Sequence, residues 1–188
     1  GYRIIGGTKF YERSEIKDGV SFLRIVNQKN DDLAFERIIN IPKRSIGDST
    51  LKHLHDYGRE NKKSLEDSAE DLMQSKKIKP KAKLGLRQIL NLFKKWRLDL
   101  KEKTHYELME IIFDESGYSK MLKDKKDLES EGRLENIKEL IRGMHDFDNI
   151  QGFLEHVALA TSIDQDWDGE KVNLMTMHAA KGLEFDAV

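Results

Sequence analysis

Two short strand-like runs stand at opposite ends of this 188-residue chain, and almost everything between them carries helical periodicity. The first is Tyr2-Arg3-Ile4-Ile5, closed by Gly6-Gly7; the second is Val172 to Met177. A lone strand leaves its backbone groups unpaired, so the two ends are expected to meet in one sheet while a helical block grows out between them. That layout is one of insertion: a mainly α chain whose ends belong to a strand-containing base.

The helical block reads segment by segment. Phe10, Ile16, Val20, Leu23 and Val26 recur near a 3.6 period, which sets Glu12, Arg13, Glu15, Lys17 and Asp18 largely on the opposite, solvated side. Asp31 to Asn40 follows, and Pro42 ends it. Asp48 or Ser49 is expected to cap the next helix, and Ser64 the one after. Lys76 to Lys83 reads as a basic loop, and Lys83 to Lys103 as the strongest core helix, with Leu86, Ile89, Leu90, Phe93 and Trp96. Thr104-His105-Tyr106-Glu107 matches a capping box. Leu134, Ile137, Leu140, Ile141 and Met144 form one stripe; Phe153, Leu154, Val157 and Ala158 form a shorter one.

Composition excludes several classes. With no cysteine there is neither a disulfide framework nor a thiolate metal site, and no apolar run approaches the length of a membrane span. No amino-terminal leader is evident, so the expectation is a soluble, cytoplasmic, membrane-free chain. Charge is abundant at 36% but balanced, 33 basic against 34 acidic residues, so only its distribution is informative. Lys76 to Lys103 holds eleven basic residues against Asp99 and Glu102, a sector that either faces phosphate or simply solvates helix faces.

Two places combine residues suited to phosphodiesters. In Ile41-Pro42-Lys43-Arg44-Ser45-Ile46-Gly47-Asp48-Ser49-Thr50 a turn between helices puts bases before a glycine and hydroxyls after it. Helix-hairpin-helix modules hold a duplex backbone with such a turn, the following helix amino terminus adding its dipole; an ordinary interhelical turn is the alternative. At the other end, Thr176, His178 and Lys181 lie where a strand exits into a turn, the edge at which open α/β sheets bind ligands, and Glu184 suits a sugar hydroxyl. A structural histidine is the alternative there. His53 and His55, two apart, point to different helix faces and make no metal pair, and no phosphate-wrapping glycine loop is present.

With these residues in view, the chain resembles superfamily 1 DNA helicases of the UvrD, PcrA and Rep type. Tyr2 to Asp18 is similar to a glycine-pair and aromatic-acid-arginine segment of their subdomain 2A, Asp31 to Leu51 to the start of subdomain 2B, and Val172 to Phe185 to motif V. The resemblance implies a helical 2B, residues 26–168, inserted in a RecA-like α/β 2A represented by residues 1–25 and 169–188. It implies a parent ATP-dependent 3′ to 5′ DNA helicase of repair or replication, bacterial and nucleoid-associated, using ATP and Mg2+. Walker A, Walker B and motif VI would lie outside this sequence, leaving the chain a monomer without turnover or bound cofactor of its own. By the same resemblance Thr176, His178 and Arg13 contact single-stranded DNA, with Arg13 alternatively tying its helix to motif V. Glu184 and Gly182 serve the nucleotide, and Lys43, Arg44, Ile46, Gly47, Ser49 and Thr50 the duplex. Hinges are expected near Val26 to Lys29 and Asp164 to Gly169. Ser45 departs from a usual Gly-Ile-Gly and restricts that turn. Repair or replication proteins are further expected partners, and a helical protein-interaction module is the other functional class.

Overall fold

The helix expected from Phe10 forms in two pieces: a 3-10 turn at Phe10–Glu12, then α1, Ser14–Asn27. The structure, a computed structural model, describes residues 2–5, 10–162 and 172–175. After α1 come α2 (Asp32–Ile38), α3 (Asp48–Asn61), α4 (Leu65–Asp71), α5 (Pro80–Asp99), α6 (His105–Glu115), α7 (Tyr118–Lys125), α8 (Leu128–Met144) and α9 (Ile150–Ser162). The chain is mainly α. Strands β1 (Tyr2–Ile5) and β2 (Val172–Met175) pair in parallel, with Tyr2 opposite Val172 and Ile5 opposite Met175, so the whole helical block serves as one crossover between them.

Local chemistry explains most boundaries. Ser64 caps α4 by accepting from the Asp67 amide, and Thr104 and Glu107 complete the capping box of α6. The expected basic loop gives way to helix at Pro80, because proline lacks the amide that the first helical position leaves unused and its fixed φ suits that position. Lys81 and Lys83 are therefore helical. α3 is capped by neither Asp48 nor Ser49: Gly47 occupies the cap position and no side chain bonds to it. α7, which carries no strong stripe, was not legible as a separate helix.

α1 is the central element, packed by α2, α5, α6, α8 and α9. Ile16, Phe22, Leu23, Ile25 and Val26 enter one core with Phe35, Phe93, Trp96, Phe113 and Phe153. Because helices surround α1 on most sides, its expected polar face is partly interior, and Glu15 and Asp18 are buried. Each is satisfied there. Asp18 accepts from Arg37 Nε at 2.8 Å and Tyr118 Oη at 2.7 Å, and Glu15 accepts from Asn136 Nδ2 at 2.6 Å. Residues 25 and 26, where the resemblance sets a change of domain, lie within α1 and share this core; residues 168 and 169 lie outside the described residues.

Candidate nucleic-acid interface

The α2–α3 turn is built from the inside. Pro42 disfavours helical backbone at Ile41, so α2 closes and the chain reverses. Asn40 Oδ1 then accepts from the Arg44 amide at 2.7 Å and the Ile46 amide at 3.3 Å, and Ser45 takes φ 60°, in the left-handed region. Arg44 does not reach outward. Its Nη1 faces the carbonyls of Ile38, Ile39, Ile41 and Pro42 at 2.9–3.4 Å, and its Nη2 donates to Ser116 O at 2.9 Å, so one guanidinium ties the chain leaving α2 to the end of α6. Burial pushes its pKa down to about 10, still well above neutral.

The turn is seated on α5 at Gly85. A Cβ there would lie 2.2 Å from Arg44 O, so only glycine lets the two backbones approach this closely. Sequence reasoning missed Gly85; the available signal was a lone glycine inside a strong helical pattern.

This seating sorts the expected duplex contacts. Lys43, Ser45, Gly47, Asp48 and Ser49 are exposed. Ile46 is a core residue and Thr50, in the first turn of α3, is buried. The side chains of Ile46 and Thr50 are thus turned into the protein and that of Arg44 is half-buried, whereas Lys43 and Ser49 stand in the open. Gly47 is different: its φ of −100° suits any residue and a Cβ would meet nothing within 4 Å, so neither backbone nor internal packing demands glycine there. The amino terminus of α3 thus presents an uncapped positive dipole end beside Lys43, although exposed Asp48 opposes an anion at the same place.

Arg13 is half-buried at the start of α1. It donates to Asn136 Oδ1 and lies 5.5 Å from the Phe10 ring centroid, which ties the 3-10 turn to α8 rather than displaying the guanidinium freely. Thr176, His178, Lys181, Gly182 and Glu184 lie outside the described residues.

Compared with known proteins, residues 1–188 match the family model of the UvrD-like helicase C-terminal domain. The chain belongs to that family. It is 39% identical over 190 residues to DNA helicase II of Rickettsia typhi, covering all of this chain and 29% of that protein. It is 37% identical over 201 residues to the ATP-dependent DNA helicase PcrA of Staphylococcus aureus, again covering all of this chain but 27% of the relative. This UvrD-like chain thus spans under a third of the length of these curated relatives. Among its described residues, no cluster of His, Asp and Glu could hold a metal ion, and no helix is long and apolar enough to cross a membrane.

Proposed function

We propose that this UvrD-like chain is the duplex-contacting accessory region of an ATP-dependent 3′ to 5′ DNA helicase of repair or replication. The observation that carries the reading is the ridge Lys43, Ser45, Gly47 and Ser49, exposed at an uncapped helix amino terminus and braced from behind by Arg44. A rigid brace holds Lys43 and the α3 amides toward one phosphate run, so backbone contact costs little ordering. The helical block is read as a 2B-like insertion in a RecA-like domain, with β1 and β2 at its base; their parallel pairing supports this. ATP and Mg2+ belong to the parent, where hydrolysis supplies the motion. In this reading Thr176, His178 and Arg13 serve the single strand, and Gly182 and Glu184 the nucleotide.

Binding of a forked duplex by the chain tests it. Lys43→Glu is expected to weaken binding and to reduce the dependence of log K on log salt by about one unit, while Asp48→Asn strengthens binding. Unchanged affinity in both variants would remove duplex contact from this turn.

A second reading, a protein-interaction module, is favoured by the groove between α1, α2 and α9, where Leu33 is 76% exposed beside Val20 and Leu154. Leu33→Asp should leave DNA binding intact and abolish capture of a repair or replication partner if that reading holds.

A further inference from the structure

The eleven basic residues between Lys76 and Lys103 are not equivalent once folded. Lys94 pairs with Glu70, Lys95 with Asp99 and Glu115, and Arg97 with Glu66. By contrast, Lys76, Lys77, Lys79, Lys81, Lys83 and Arg87 make no ion pair with any described residue, and Ser75 to Leu98 contains no acid. Charges left unneutralised together, in a molecule that pairs their neighbours, form a local positive field.

The segment is also held in place. Ile78 is buried between exposed Lys77 and Lys79, so the turn is pinned to the core and its lysines are directed outward. The Lys77 amide bonds to Ser75 Oγ at 3.1 Å, and Pro80 starts α5 immediately afterwards. Lys81 stands one helical turn before Gly85, on the same side of α5, and Gly85 is where the backbone of Arg44 rests. The exposed ridge of Lys43 and the lysines leading into α5 are therefore neighbouring parts of one surface. The six residue steps from Lys79, the N-cap of α5, to Gly85 rise roughly 9 Å, close to three base-pair steps of a duplex.

We infer that Lys77, Lys79 and Lys81 form a second duplex-backbone contact, continuous with the Lys43 turn and indifferent to sequence. This rests on the duplex-contacting reading above and extends it from a point to a track. Lysine ammoniums on flexible stems suit phosphates as point charges, and residues 77–81 hold no arginine, asparagine or glutamine that would favour bidentate base readout.

The test uses the 188-residue chain, a forked duplex and a salt titration. Lys77→Gln, Lys79→Gln and Lys81→Gln together are expected to lower duplex affinity at least tenfold, equally for two unrelated sequences, and to reduce the salt slope by about two to three units. The corresponding three arginine substitutions should keep the slope. Circular dichroism melting of each variant should match the parent, since these side chains are outside the core. If the glutamine variant keeps the parental slope while Lys43→Glu lowers it, the track is overturned and the turn reading stands. If neither changes the slope, or the parent chain binds no duplex, both fall; binding of an acidic protein through these lysines would then be the remaining explanation of the field.

Discussion

Lys43 and Arg44 are adjacent cations with opposite surroundings, and local sequence does not distinguish them. Both sit between Pro42 and Gly47, in a pattern that suits phosphate, yet Arg44 turns inward to five carbonyls, four after α2 begins to close and one at Ser116. The residues that set the turn can be tested singly. Ser45 holds φ 60°, a conformation that costs a side-chain-bearing residue about 1 kcal/mol or more. Ser45→Gly relieves that strain at the cost of a more flexible unfolded chain, so a net gain of about 0.5 kcal/mol is expected in urea unfolding. A loss would show that Ser45 is unstrained. Gly85→Ala has the opposite sign: the new methyl meets backbone that cannot rotate away, and a loss of about 1–3 kcal/mol is expected. Its duplex affinity should fall as well, because the Lys43 ridge loses its seat.

At the scale of elements, caps were the most legible feature. Ser64, Thr104 with Glu107, and the long apolar stripe of α8 stand where their chemistry sets them. What was not legible was the back of α1: Glu15 and Asp18 follow a solvated pattern locally but meet Asn136, Arg37 and Tyr118 from distant parts of the chain. The α1–α2 connection reaches α4 through Lys29, which pairs with Asp67 at 2.7 Å and Glu70 at 3.6 Å, while Lys94 pairs with Glu70 at 2.8 Å. The hydrogen bond from Lys29 lowers the pKa of Asp67, and that from Lys94 lowers the pKa of Glu70. Lowered folded values mean that this stabilisation is present above the ordinary carboxylate range and disappears as pH falls through and below it. Asp18 has the other sign: burial raises its pKa, so its contribution declines as pH rises out of that range. Lys29→Ala should therefore cost under about 1 kcal/mol at pH 6 and nearly nothing at pH 3, as read by urea midpoints. An equal cost at both values would mean that Lys29 acts through packing alone.

At the scale of the whole molecule, one cross-tie joins three elements. Arg97 on α5 makes two bonds to the buried carboxylate of Glu66 on α4, at 2.6 and 2.7 Å, and a third to the carbonyl of Ile25 in α1 at 2.7 Å. Arg97→Ala would leave Glu66 buried without a counter-charge, so a loss of about 3–5 kcal/mol is expected. Because α1 and the later helices share one core, that loss should appear as an earlier single transition, coincident by circular dichroism and by the fluorescence of buried Trp96 in a Trp167→Phe background. Two separate transitions would mean that the core is divided. By itself, the sequence determined the mainly α character, the strand-like ends and the caps of α4 and α6, since each rests on spacing within a few turns of chain, while the family resemblance rests on three motif-bearing stretches spread along it. Tertiary structure alone decided which charges face outward: Lys43, Lys79 and Arg44 share one local chemistry, and only the element packed behind each of them, from a distant part of the chain, determines whether its charge is available to a ligand.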